Sequence, residues 1–289
     1  MRETKIRWSD HTWNAMVGCT EISPGCDRCY ARAITERFRG KAFPNGFDPT
    51  YKPQKLAEPG KILRKFGPQR IFVNSLSDVH HDAFTWEQIA SIYDTMLATP
   101  EHDYLVLTKR PDRMAGFMLG RRATRGGRAA PLAAHEGRND LDPVSGWLAA
   151  RGLDEVPPQI WLGTSIENDR YTFRADWLRL IPATVRFLSL EPLLGPVPSL
   201  DLDGIGWAIV GGESGPGYRP MDHDWARDIR DRCDAAGVSF FFKQSAAPRT
   251  EMGIELDGRL HEEYPLPHPG LALPRTLGRY VDAPASVGT

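Results

Sequence analysis

The stretch Trp207-Ala-Ile-Val-Gly211, followed by Asp222 to Ala236 and then Ser239-Phe-Phe-Phe-Lys243, decides the fold class of this chain. The first and last pieces are short apolar runs bounded by turn residues, which fits strands buried on both faces of a parallel sheet. The middle piece places Trp225, Ile229 and Cys233 on one helical stripe and ends at Gly237, a natural helix C-cap. Strand, helix and strand in that order make a βαβ unit.

The same unit recurs on both sides. Four further runs are Arg70-Ile-Phe-Val-Asn74, Tyr104-Leu-Val-Leu-Thr108, Ile160-Trp-Leu-Gly-Thr164 and Val185-Arg-Phe-Leu-Ser189. Between two of them, Trp86 to Leu97 carries Trp86, Ile89, Ala90, Tyr93 and Leu97 at helical spacing. A further strand of mixed polarity is expected within Trp8 to Val17. The repeat is broken only between Tyr104 and Ile160, where an insertion from Leu119 to Pro158, rich in Gly, Ala, Pro and Arg, reads as a loop or small subdomain. The expected fold is α/β, a partial (β/α)6 barrel of TIM-like type over residues 1–264 with an N-terminal cysteine-cluster loop. A Pro-rich tail follows over 265–289.

Each run ends in polar residues. These are Asn74, Ser75, Ser77 and Asp78; then Thr108, Lys109 and Arg110; then Thr164, Ser165, Glu167 and Asn168; then Ser189 and Glu191; then Gly211, Gly212, Glu213 and Ser214; finally Lys243 and Gln244. In a (β/α) barrel the C-terminal strand ends converge on one mouth, where ligands bind. Six polar strand ends therefore make one candidate site. A carboxylate such as Glu191 at the end of an apolar strand needs a partner, and Lys109 and Lys243 are its candidates. Two glycines at 211 and 212 let a ligand approach the backbone, with Glu213 placed to accept from an ammonium or to start a helix. Asn168 reads as a ligand contact or a cap. Lys109, Arg110, Lys243 and Gln244 are the substrate-binding candidates.

Cys19, Cys26 and Cys29 form a Cys-x6-Cys-x2-Cys cluster, while the fourth cysteine, Cys233, lies on the apolar helical stripe as a core thiol. Clustered thiols without wide spacing do not make a disulfide scaffold. Three thiolates leave a coordination position open. A structural zinc wants four ligands, so zinc requires His11 or Cys233 to complete the set. An iron–sulfur cluster with three protein ligands keeps one iron free for a ligand.

At this point the chain resembles the phage-associated three-cysteine-motif proteins, a bacterial and phage family similar to the radical S-adenosylmethionine enzymes. The matching segments are Trp13-Asn14 with Gly18-Cys19, Ser23-Pro-Gly-Cys-Asp27 with Cys29-Tyr30, and Phe72-Val-Asn-Ser75 with Ser77-Asp78. They continue through Leu107-Thr-Lys-Arg-Pro111, Trp161-Leu-Gly-Thr-Ser165 with Glu167-Asn168, and Arg186 to Leu194. The last are Ile209 to Pro216 and Phe241-Phe-Lys-Gln244. The resemblance implies a [4Fe–4S] cluster on Cys19, Cys26 and Cys29 whose open iron takes S-adenosylmethionine. Reductive cleavage would then give a 5′-deoxyadenosyl radical. It also implies an electron donor of flavodoxin or ferredoxin type, and Tyr30 near the adenine. The first cysteine gap, six residues here, is three in most radical S-adenosylmethionine enzymes.

Composition bounds the rest. The 289 residues are 41% apolar and 25% charged, as in globular domains. A formal charge of -1 gives no whole-protein attraction to nucleic acid, so such a role needs a local patch. The stretch Lys109 to Arg128, with seven basic residues and one acid, is one candidate patch, and a nucleic-acid base is the corresponding substrate expectation. A zinc-containing nucleic-acid-binding module and a non-catalytic iron–sulfur sensor are the rival readings. Adjacent His80 and His81 point apart on a strand or helix, which suits a loop or helix start better than one shared ion. No apolar run approaches the length of a membrane span. Residues Met1 to Lys5 lack a signal-peptide core, so the expected location is cytoplasmic.

Overall fold

A computed structural model describes residues 4–120 and 146–265, together with the backbone of two short strands between them. In chain order the first elements are β1 (His11–Trp13), β2 (Met16–Val17), α1 (Tyr30–Arg37), β3 (Thr50–Tyr51), α2 (Glu58–Phe66) and β4 (Arg70–Val73). There follow α3 (Trp86–Leu97), β5 (Asp103–Thr108), α4 (Pro111–Leu119), the β6 (Thr124–Arg125) and β7 (Arg128–Ala129) hairpin, and α5 (Gly146–Ala150). The last are β8 (Ile160–Ser165), α6 (Phe173–Arg179), β9 (Arg186–Leu190), β10 (Trp207–Gly211), α7 (His223–Ala236) and β11 (Ser239–Gln244).

Seven strands form one parallel sheet in the order β1-β4-β5-β8-β9-β10-β11. The sheet curls into a half-barrel within a mixed α/β fold. The six expected strands are present, and β1 is a seventh. The expected strand within Trp8 to Val17 divides in two. After Trp13 the Asn14 side chain turns to accept from Leu76 N, and β2 leaves the main sheet to pair antiparallel with β3.

Alternation along the strands builds two layers. Phe72, Leu105, Trp161, Phe187, Trp207, Ile209 and Phe241 point to the concave face. Their neighbours Ile71, Val73, Tyr104, Val106, Leu162, Leu188, Val210, Phe240 and Phe242 point outward to the helices. A two-residue period assigns every one of these side chains. Trp207 sits at the centre of the concave layer, with ring centroids of Trp8, Trp161, Phe187, Phe241 and Tyr264 within 5.2–6.5 Å. Gly163 has no side chain because a Cβ there would stand 2.4 Å from the Phe187 ring.

The two sheet edges are tied together by segments from both ends of the described chain. Residues 261–263 pair along β11 through Phe242 N to His261 O and Glu263 N to Phe240 O, which covers that edge. Arg7 donates to the Lys243 carbonyl and pairs with Glu262. Tyr264, expected at the very end of the barrel, is 4% exposed and completes the concave layer. The Pro-rich tail from residue 266 lies outside the described residues.

The insertion is not all loop. Its last part, α5, buries Trp147 against Tyr93 and Phe117, and Trp147 Nε1 donates to Asp94. The centre of the insertion lies outside the described residues, and so does most of the expected basic patch beyond Gly120. Among the described residues no helix is long and apolar enough to cross a membrane.

Two tests follow from this packing. Trp207→Ala is expected to lower unfolding free energy by about 3–5 kcal/mol in urea titration, whereas exposed Tyr218→Ala stays within about 0.5 kcal/mol. Asp103 is fully buried beside Arg70 in the ladder, and neither carboxylate oxygen has a hydrogen-bond partner among the described residues. Burial pushes its carboxyl up to about 7, against the charge of Arg70 and with the help of Asp10. Between the ordinary carboxylate range and pH 7 the folded chain therefore holds a proton that the unfolded chain has lost. Through this group stability falls as pH rises across that window. Asp103→Asn is expected to flatten that part of the stability–pH curve; an unchanged slope would assign it to other groups.

Candidate functional site

Continuing the inward alternation past the aromatic layer leads to Lys109, Ser165, Glu191 and Lys243, each one or two steps beyond an inward ring or aliphatic. These side chains open on a cavity of about 220 Å³ at the C-terminal edge of the sheet. Cys19, Cys26 and Cys29 line the same cavity, and all three are free and half-buried.

The cysteine loop is held by polar ties rather than by a core of its own. Gly18 adopts a left-handed φ of +87°, and a Cβ there would stand 2.4 Å from the Asp48 carbonyl oxygen, so the approach requires glycine. Gly18 N donates to Leu76 O, and Ser77 Oγ donates to Gly18 O at 2.7 Å. Pro24 to Cys26 form one 3-10 turn, and Cys29 sits at the N-cap of α1. Ser23 Oγ donates to Glu167 Oε1 at 2.6 Å, while Arg219 donates to the Pro24 carbonyl at 2.8 Å and to Asp27 at 3.2 Å.

Two buried carboxylates organise the surroundings. Glu167 is fully buried and receives Lys109 on one oxygen and Arg174, at 2.9 Å, on the other. Burial pushes its carboxyl up, but the two cations and the Ser23 hydroxyl outweigh this and hold it below the usual carboxylate range. Asp78 accepts from Thr108 Oγ1 at 2.6 Å, Lys109 N at 3.0 Å and Arg110 Nη1 at 3.2 Å. Its carboxyl is also held low, because Arg110 and the hydrogen bonds overcome burial. Arg110 Nη1 donates on to Cys19 Sγ at 3.6 Å, and Nη2 to Thr20 Oγ1, which meets His81 Nε2 at 2.9 Å. Burial pushes the Cys19 thiol up to about 11, with Asp78 adding and Arg110 opposing. A metal or cluster has to displace that proton on binding.

The predicted site residues divide. Tyr30, Ser75, Ser77, Asp78, Lys109, Arg110, Ser165, Glu191, Gly212, Glu213, Lys243 and Gln244 line the cavity with the cysteines. Glu191 pairs with Lys243 at 2.7 Å, whereas Lys109, the other candidate partner, goes to Glu167. Tyr30 is 47% exposed while its hydroxyl donates to Ser75 O at 2.6 Å.

Four predicted cofactor contacts do not reach the cavity. Asn74 is buried at a left-handed turn of φ +55°, where its Oδ1 accepts from Met16 N and joins β4 to β2. Asn168 caps the short 3-10 turn after β8 by accepting from Arg170 N. Glu167 lies behind the cysteine loop, and Gly211 is buried in β10. Glycine at 212 makes room for chain rather than ligand, since a Cβ there would stand 2.2 Å from Ala246 N. Glu213, expected to meet an ammonium, is occupied by Arg219, and Gln244 spends its amide on Gly212, Thr250 and Glu251.

Sequence reasoning gave no role to Ser23, Arg174 and Arg219, which hold Glu167 and the cysteine loop, while Thr108, read as a polar strand end, serves Asp78. Arg174, seven positions after Glu167 at the start of α6, offered only a sequence-near opposite charge as a signal. Arg219, in a Gly- and Pro-rich loop, had none. His80 and His81 turn to different partners: His80 meets Tyr93 OH at 3.0 Å in the core, and His81 Nε2 meets Thr20 Oγ1. Among the described residues no three His, Cys, Asp or Glu side chains are grouped as ligands of a single metal ion.

A family model described as "Protein of unknown function (DUF5131)" matches residues 3–265. The chain belongs to this family. Searches of curated proteins and of solved structures found no match. The span matched by the DUF5131 model takes in every strand of the half-barrel and the whole cysteine loop.

Glu167 ties the cysteine loop to the half-barrel through Ser23. Glu167→Gln leaves Lys109 and Arg174 without their buried counter-charge and is expected to cost about 3–5 kcal/mol. It is also expected to speed modification of Cys26 by a thiol reagent, read by mass spectrometry, while buried Cys233 stays protected. Unchanged Cys26 reactivity would mean that the loop is held by other contacts.

Proposed function

We propose that this DUF5131 protein is a radical S-adenosylmethionine-type enzyme carrying a [4Fe–4S] cluster on Cys19, Cys26 and Cys29. The half-barrel would then be of the TIM-like kind, with its chemistry at the C-terminal strand edge. The observation that carries this reading is that the three thiols share one cavity with polar side chains from the ends of β5, β8, β9 and β11. When bound, cluster and S-adenosylmethionine together supply one-electron reductive cleavage and a carbon-centred radical.

The donor set fits the group. Three half-buried thiols spread along one cavity suit a cluster, whose irons each take one thiolate, better than one tetrahedral ion with four ligands. Cys29 sits at the N-cap of α1, which fixes its sulfur at the edge of the cavity. The Arg110 N–H aimed at Cys19 is the kind of sulfur contact that tunes a cluster's potential. Glu191 and Lys243, side by side on the far wall, offer one acceptor and one donor for an amino acid head group. Tyr30 presents an exposed ring to a base. The aromatic layer under Trp207 keeps water out from below. An external electron donor of flavodoxin or ferredoxin type completes the requirement.

Electron paramagnetic resonance of the anaerobically reconstituted, reduced chain tests the reading. The expected result is a cluster signal that shifts on adding S-adenosylmethionine, is lost in Cys19→Ser, Cys26→Ser and Cys29→Ser, and persists in Cys233→Ser. A cluster signal indifferent to S-adenosylmethionine would leave a sensor. A silent spectrum with one zinc per chain would replace the enzyme by a zinc-containing module.

A further inference from the structure

The cavity opens beside a surface that composition alone conceals. The chain carries a formal charge of -1, yet residues 28–55 hold seven basic and two acidic side chains. This segment runs from the cysteine loop through α1 to β3 and edges the cavity through Arg28, Tyr30 and Arg32. Arg39 is matched by Glu36 and Asp48, and Arg32 by Glu21. Arg37, Lys41 and Lys52 have no carboxylate partner among the described residues.

Aromatic rings alternate with these cations. Tyr30, Ile34 and Phe38 follow one another at four-residue intervals along α1 and its C-cap, and are 47%, 41% and 43% exposed. That spacing makes one stripe about 12 Å long. Unpaired Arg37 lies over exposed Phe38 and unpaired Lys52 over half-buried Phe43, at 5.6 and 5.0 Å from the ring centroids, whereas Arg32, paired with Glu21, covers the buried ring of Phe47. Exposed rings bordered by unpaired cations are the arrangement that binds single strands, with bases stacked on rings and phosphates tracked by Lys and Arg. Protein-binding surfaces instead lose lysine and gain a closed apolar centre.

The geometry points to single-stranded nucleic acid as the macromolecular ligand, lying along the Tyr30–Phe38 stripe with a base delivered into the cysteine-lined cavity. As a substrate assignment it rests on the enzymatic reading of that cavity. The stripe begins at Tyr30, whose ring belongs to both surface and cavity, so a strand stacked on Phe38 and Ile34 reaches the cavity without a gap.

The test needs no cluster. Fluorescence anisotropy of the full chain with a labelled 15-nucleotide single strand is compared with the same sequence as duplex. Phe38→Ala is expected to weaken single-strand binding about five- to hundredfold. The double variant Arg37→Glu, Lys41→Glu is expected to weaken it further and to flatten the salt dependence by about 0.7 per lost phosphate contact. Both sets of residues are exposed, and an unchanged unfolding midpoint confirms that the variants fold. No single-strand binding at low salt would overturn the inference. So would equal displacement by polyglutamate with Phe38→Ala having no effect, which would make the surface a dock for an acidic protein. Loss of binding with an intact paramagnetic response to S-adenosylmethionine removes the nucleic acid alone. Binding with a silent spectrum upholds the surface and removes the enzyme.

Discussion

The curl of the sheet depends on the aromatic layer around Trp207. Strands β4, β5, β8, β9, β10 and β11 each send at least one large side chain to the concave face, and the indole of Trp207 stands within ring-contact distance of five other aromatics. Rings of this size cannot be buried on a flat, solvent-facing sheet. Wrapping the strands around them removes their area from water, at roughly 25 cal/mol for each Å². The half-barrel is not closed by hydrogen bonds between β1 and β11. Trp8, Tyr264 and the Arg7 contacts fill the gap with side chains instead.

That curvature converges the strand ends, and convergence creates the electrostatic problem solved by Glu167 and Asp78. Both carboxylates are buried where β5 and β8 end, and each would be costly alone. Lys109, Arg174 and Arg110 offset the cost, with hydroxyls from Ser23 and Thr108 filling remaining lone pairs. The cysteine loop has little apolar anchorage: Ile22 is 40% exposed, and the buried side chain is that of Ser23. The loop is therefore positioned by charge and hydrogen bonding, through Glu167 and Arg219, and its geometry is tied to the half-barrel behind it.

Much of the fold was legible because it rests on local pattern. Short apolar runs bounded by turn residues mark strands buried on both faces, and the stripe Trp225, Ile229, Cys233 lies on α7 with Gly237 as its left-handed C-cap. The first strand was blurred because Ser9, Asp10, His11 and Thr12 give it mixed polarity and Asn14 divides it from β2. α5 was hidden because its one large anchor, Trp147, packs against α3 and α4 rather than within its own segment. At the site, residues on the inward parity reached the cavity: Lys109, Ser165, Glu191 and Lys243. Asn74 and Asn168 did not, because the chain uses them for a left-handed turn and a cap, and Gly211, on the inward parity, has no side chain and leaves room for Glu191, which a Cβ there would meet at 3.1 Å.

The sequence by itself determined the strands, their parallel order-compatible spacing, the three-thiol loop and the polar residues that end each run. These follow from side-chain period and from residue type, which need no knowledge of distant parts of the chain. Tertiary structure alone decided which polar ends face the cavity and how they are paired: Glu191 with Lys243 inside it, Glu213 with Arg219 at its edge, and Glu167 with Lys109 and Arg174 behind the cysteine loop. It also decided that the basic, aromatic segment after the cysteines borders the cavity. Both outcomes depend on where residues far apart in the chain are brought by the curl of the sheet, and charge pairing acts through that distance rather than along the sequence.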